Sequence, residues 1–141
     1  MKSFLIILTL IGLMGCGEEK KPTPPVDVQK ISTVPSKKSQ FKVNLTWEKG
    51  PVADKFSTAK LLFFDKNDAS LKGVKMISFV PDMPSHGHGT SMDDQKIVSG
   101  KEPNEIRVEN VFFVMGGPWV ITVTAEINGQ TDTAEVSVDV P

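Results

Sequence analysis

Both histidines of this 141-residue chain lie in one short segment, Pro81-Asp82-Met83-Pro84-Ser85-His86-Gly87-His88-Gly89-Thr90-Ser91-Met92, two residues apart and between two methionines. Imidazole nitrogen and thioether sulfur together suit copper, since soft sulfur favours Cu(I) and nitrogen also serves Cu(II). Calcium would want a cluster of carboxylates, and only Asp82, Asp93 and Asp94 stand nearby. Zinc could use both histidines with Asp93 or Asp94, although His-x-His alone is a thin zinc signature. The candidate metal ligands are therefore His86 and His88 through nitrogen, with Met83, Met92 or Met115 completing the set through sulfur. A metal-free reading stands beside this one. Glycine after each histidine and proline at 81 and 84 would also make a rigid loop whose imidazoles bond to backbone carbonyls, a shaped surface for another protein. Catalysis has less support. Ser85 and His86 are neighbours whose side chains diverge, and no glycine-rich loop precedes a helix to cradle phosphate, so the chain reads as a non-enzyme.

The segments around this loop alternate as strands do. Phe41, Val43, Leu45 and Trp47 interleave with polar residues, and Leu61 to Phe64 is an apolar run ended by the turn cluster Asp65-Lys66-Asn67-Asp68. Val74 to Val80, Ile106 to Met115 and Trp119 to Ala125 continue the pattern, with a bulge expected at Glu109-Asn110. Asn128-Gly129 signals a hairpin into Thr131 to Val140. No stretch after residue 38 has a helical period. The fold class is therefore all-β, an immunoglobulin-like antiparallel β-sandwich of about seven strands. Trp47 and Trp119 are expected to fill the space between the sheets, with Trp119 also placed to shield an ion at the sandwich end. Strand direction adds a link. If the strand through Met76 to Val80 runs up to the histidine loop and Gln95 to Val98 runs down, Ile106 to Val114 runs up again. Met115-Gly116-Gly117-Pro118 then arrives at the same end as His86 and His88.

The beginning of the chain addresses it. Met1-Lys2, the apolar run Ser3 to Leu13 and then Met14-Gly15-Cys16 read as a lipoprotein signal over residues 1–15, cleaved before a Cys16 that takes the lipid. An apolar run this short does not span a bilayer core as a helix. Residues 16–38, with Glu18-Glu19-Lys20-Lys21, Pro22, Pro24, Pro25 and Pro35, read as a flexible tether, leaving 39–141 as the folded domain. Cys16 is the only cysteine, so lipidation leaves no thiol for a disulfide or for catalysis. The expected location is extracytoplasmic, anchored by lipid to a bacterial membrane, and in a Gram-negative cell on the outer membrane facing the periplasm. The near-balanced charge, formally −1, argues against a nucleic-acid partner.

Two motifs together resemble the YtkA-like and FixH-like family of envelope domains: Met83-Pro84-Ser85-His86-Gly87-His88-Gly89, and further on Phe113-Val114-Met115-Gly116-Gly117-Pro118-Trp119. The resemblance spans about Phe41 to Val140 and implies a small extracytoplasmic sandwich, linked by context to copper handling and respiratory oxidase assembly. The motif positions it carries over are Met83, Pro84, His88 and Gly89, then Phe113, Met115, Gly117 and Trp119. His86 stands where relatives often have another residue. FixH-like members commonly carry a transmembrane helix where this chain carries a lipobox. What the resemblance implies, then, is copper bound or passed on, with a copper-handling or respiratory envelope protein as partner.

Overall fold

The computed structural model describes residues 33–141; the expected signal segment, Cys16 and the chain up to Ser32 lie outside the described residues. Nine strands and no helix occur among the described residues: β1 Thr33–Pro35, β2 Lys42–Lys49, β3 Phe56–Phe64, β4 Lys75–Met83, β5 His88–Gly89, β6 Lys96–Ser99, β7 Glu105–Phe112, β8 Gly117–Ile127 and β9 Gln130–Val140. They form two antiparallel sheets, ordered β1-β2-β3-β7-β6 and β5-β4-β8-β9. Without the short edge strands β1 and β5, seven strands remain. Their order, β2-β3-β7-β6 against β4-β8-β9, is the four-on-three arrangement of an immunoglobulin-like sandwich.

Alternation makes the core. Phe41, Val43, Ala59, Leu61, Phe63, Val108 and Val111 from the first sheet are buried against Phe79, Met83, Trp119, Ile121, Val123, Ala134 and Val136 from the second. With no disulfide available, this apolar contact between layers carries the fold. Asn128 and Gly129, with φ of 51° and 77°, take the left-handed conformations that a two-residue hairpin needs, and Ile127 pairs with Gln130 across them. The bulge expected at Glu109-Asn110 is present. Ser57 pairs with Val111 and Ala59 with Val108, and Asn110 at φ 57° is the strained residue of the extra pair.

Two boundaries differ from those expected. The folded part begins by Thr33 rather than at 39, because β1 pairs with β2 and Lys37 N–H donates to the Thr133 carbonyl at 2.7 Å. Pro35 does not prevent this: β1 is an edge strand, where a missing N–H costs no ladder bond. The loop expected over Pro81–Met92 is likewise partly ladder. β4 continues through Met83, and β5 pairs back onto it, leaving Pro84–Gly87 as the turn. Pro81 is tolerated inside β4 because its carbonyl faces Gly89, so the N–H it lacks would also point toward β5 and not toward the long partner β8.

The β1–β2 connection is held by Asp132. Its carboxylate is buried and accepts the N–H groups of Lys38 (2.9 Å), Gln40 (3.3 Å) and Thr133 (2.8 Å). Burial pushes the carboxyl up. The Ser36 hydroxyl and these three N–H groups outweigh that and hold it below the ordinary aspartate value of 3.8. A lowered folded pKa means stabilisation that is present above the unfolded value and lost as pH falls through the folded one. Asp132→Ala is expected to lower stability by about 2 kcal/mol at pH 7, leaving buried donors unpaired. In denaturant titrations the gap to wild type should narrow once pH drops below the ordinary carboxylate range; a gap unchanged at pH 3 would show that charge has no part in it.

Candidate metal-binding end

Met83 and His88 are cross-strand partners that close the Pro84–Gly87 turn. The turn forms because Pro84 presets its backbone, His86 and Gly87 N–H groups donate to the Met83 carbonyl (3.0 and 3.1 Å), and Gly87 takes φ 66°. Partners in an antiparallel pair share a face, so His88 lies on the inward face with Met83. The next pair along, Asp82 with Val120, sets Trp119 level with Met83, and Trp119 in turn pairs with Val138. His88, Met83, Trp119 and Val138 thus form one inward row across the four strands of the second sheet. Three of these side chains are buried. His88, on the two-residue edge strand, stays exposed.

His88 is oriented by its neighbours. Its ring meets the Trp119 indole edge to face, centroids 6.1 Å apart, and the His86 ring lies 5.8 Å away. Its Nδ1 is 3.2 Å from the Gly89 carbonyl. A carbonyl only accepts, so Nδ1 carries the proton in the neutral ring, and the lone pair is left on Nε2. Metal-binding histidines are commonly held in this way, by an N–H given to a backbone carbonyl.

The methionines occupy three different settings. Met83 is fully buried, and a Cβ added at Gly117 would stand 3.4 Å from its methyl, so the side chain packs under the Gly117 backbone. Met115 is 36% exposed at the rim; its carbonyl accepts the Trp119 indole N–H at 3.1 Å. This bond ties the Phe113–Trp119 connection to the histidine end, and β6 is the descending strand that the argument from strand direction required. Met92 is 42% exposed beyond β5, and its carbonyl accepts the Gln95 N–H at 3.0 Å, closing a turn of its own. Met76, half-buried, packs on the core.

The zinc alternative loses its third ligand. Among the described residues no three His, Cys, Asp or Glu side chains gather closely enough to hold an ion. Asp93 is instead engaged by the Ser91 hydroxyl at 2.8 Å.

Reading the segments separately misses two features of this end. One is the aromatic column His88, Trp119, Phe113 and Trp47, with successive centroids 6.1, 5.2 and 5.7 Å apart, which crosses from one sheet to the other. Parity counted through the turn would have revealed its first contact. The other is an apolar rim of Val52, Phe56, Val114 and Met115, all exposed. Phe56 meets Phe112 edge to face, and Asp54 N–H donates to the Phe113 carbonyl, which sets the two segments side by side. No local pattern announces that rim, because it joins residues far apart in the chain.

The difference between the methionines is measurable without any metal. Met83→Ala should cost about 2–4 kcal/mol by leaving a cavity under the row, whereas Met92→Ala should stay within about 0.5 kcal/mol of wild type. Equal losses in denaturant titrations of the two variants would contradict this placement.

Comparison with known proteins agrees with the two motifs. The sequence pattern of the YtkA-like family matches residues 36–124, more than half of the chain and inclusive of His86, His88, Met115 and Trp119. Searches of curated proteins and of solved structures give no match. The chain belongs to the YtkA-like family.

Proposed function

We propose that this protein binds a copper ion at the Met83–His88 end of its sandwich and buffers it or passes it on outside the cytoplasm. The observation that carries the reading is His88: its Nδ1 stands 3.2 Å from the Gly89 carbonyl, a contact that favours the proton on Nδ1 and leaves Nε2 to donate, and a second imidazole is its neighbour. Metal–nitrogen bonds near 2.0 Å let two imidazoles share one ion when their ring centres lie within roughly 6 Å, which the 5.8 Å separation meets. Bound copper would supply a soft, exchangeable cation; His86 and His88 would hold it through nitrogen, with Met83 or Met115 adding thioether sulfur. In this reading the protein is a carrier and no enzyme. The Met14-Gly15-Cys16 signal supports a lipid anchor on Cys16 and an extracytoplasmic location, with a copper-handling or respiratory envelope protein as partner.

A second reading is a metal-free interaction module, favoured by the exposed apolar residues Val52, Phe56, Val114 and Met115. The two readings part on one titration of the full chain with Cu(I), beside the His86→Ala/His88→Ala double variant. The copper reading expects one ion per chain, affinity at least tenfold weaker in the double variant, and weaker binding at pH 5 than at pH 7.5, because protonated imidazole has no lone pair to give. Equal binding by wild type and variant, or equal affinity at both pH values, would remove histidine ligation and leave the interaction module.

A further inference from the structure

We propose that β6 is a self-pairing edge: two copies of this chain join antiparallel along Lys96–Ser99, about a two-fold axis at Ile97. The proposal owes nothing to the copper reading. β6 pairs with β7 on one side and is the last strand of its sheet on the other. In the facing sheet β5 covers only Asp82 and Met83 of β4, so residues 75–81 present a second edge with no strand beside it. A groove of about 440 Å³ opens between these two edges, with Val74, Met76, Ile97 and Ile106 among its lining. Ile97 shows that this flank is unfinished. It pairs with Val108, and opposed residues of an antiparallel ladder share a face, so Ile97 belongs to the inward face. Val108 is fully buried there, whereas Ile97 is 39% exposed, and Ile77 on the β4 edge is 48% exposed.

An unpaired edge accepts another strand, and this one calls for a strand with an apolar residue level with Ile97. β6 itself is such a strand. A two-fold axis perpendicular to the sheet keeps both inward faces on the same side, so only residues of like parity come opposite one another. With the axis at Ile97, the two Ile97 side chains meet and Lys96 stands opposite Val98. The two β4 edges then face each other in the second layer, and the two grooves adjoin. Charge follows the same count. Asp93 of each copy falls opposite Lys101 of the other, so the symmetry supplies this opposite-charge pair twice, from residues that are exposed in the single chain. An axis at Val98 would instead set Asp94 against Glu102 and Ile97 against Ser99. Lysine on an edge strand commonly discourages pairing. Lys96, however, is level with Glu109 of β7 on the outward face, away from the apolar seam.

The test is a disulfide scan of the full chain carrying Cys16→Ser, which removes the only native thiol. Opposed residues of an antiparallel pair stand about 5 Å apart at Cα, within disulfide reach, whereas the two Ser99 positions would be roughly 14 Å apart along the strands. With oxidised glutathione, Ile97→Cys is expected to give covalent dimer in at least about tenfold greater yield than Ser99→Cys. Association through any other surface, the apolar residues 3–13 included, would not favour position 97. Sedimentation of the Cys16→Ser chain should show dimer that increases with concentration, and Ile97→Lys should weaken it at least about tenfold. Lys101→Glu should weaken it as well, and Asp93→Lys/Lys101→Glu should restore it. Equal cross-linking at 97 and 99, a monomer at every concentration, or association indifferent to Ile97→Lys would overturn the proposal. If Ile97→Lys fails to fold, the charge exchange at 93 and 101 takes its place: loss without restoration in the double variant would count against self-pairing.

Discussion

The packing of Trp119 between the two sheets is the contact on which the functional end depends. Phe113 precedes it by six residues and belongs to the opposite layer, so their edge-to-face contact fastens the layers together where the connection between β7 and β8 turns over the top. The same indole meets the His88 ring and bonds to Met115. Removing it would loosen the opposite layer, the His88 strand and the Met115 connection at once. Gly117 reinforces the arrangement. Its φ of 117° lies in a region that side-chain-bearing residues avoid, and the space where a Cβ would project borders the Met83 methyl. The Gly116-Gly117-Pro118 run before Trp119 is therefore shaped by the residue below it as much as by the turn it makes.

Rigidity here comes from the ladder. A histidine on a mobile loop pays ordering entropy whenever it binds, whereas His88 stands one residue from the turn in a paired strand, with its ring already held on two sides. His86 is different. It lies in the turn itself, beyond the ladder, held by the backbone bond from its N–H to the Met83 carbonyl. If the two imidazoles share an ion, one is preset and the other closes on it.

Much of the fold was legible because its inward residues are strongly apolar at period two: β2, β8 and β9 declare themselves, as do the Asn128-Gly129 hairpin and the bulge at Asn110. What hid was polar on the inward face or too short to have a period. β3 begins at Phe56, five residues before its apolar run, because the inward position 57 is a serine whose hydroxyl accepts the Val52 N–H. β1 is three residues long and ends in proline. β5 consists of His88 and Gly89 alone, neither a strand former, and exists because the Pro84–Gly87 turn delivers them onto β4. At the candidate site, residue types suggested which atoms to consider. They did not sort the methionines into one buried, one tied to Trp119 and one apart, since that sorting depends on facing residues from other strands.

The closing pair of Met83 and His88 has a consequence for how this end can change over evolutionary time. The turn between them holds four residues, and faces alternate along a strand, so adding or deleting one residue within Pro84–Gly87 would slip the register of β5 by one. An insertion would bring Gly87 into the row and turn His88 to the outer face, whereas a deletion would bring Gly89 into the row and draw His88 into the turn. Substitutions on the turn surface leave that parity untouched, whereas length changes of one do not. The length of this hairpin is thus under tighter constraint than its composition, and a relative that kept both histidines but altered the count between Met83 and His88 would have kept the letters of the motif while dismantling its geometry.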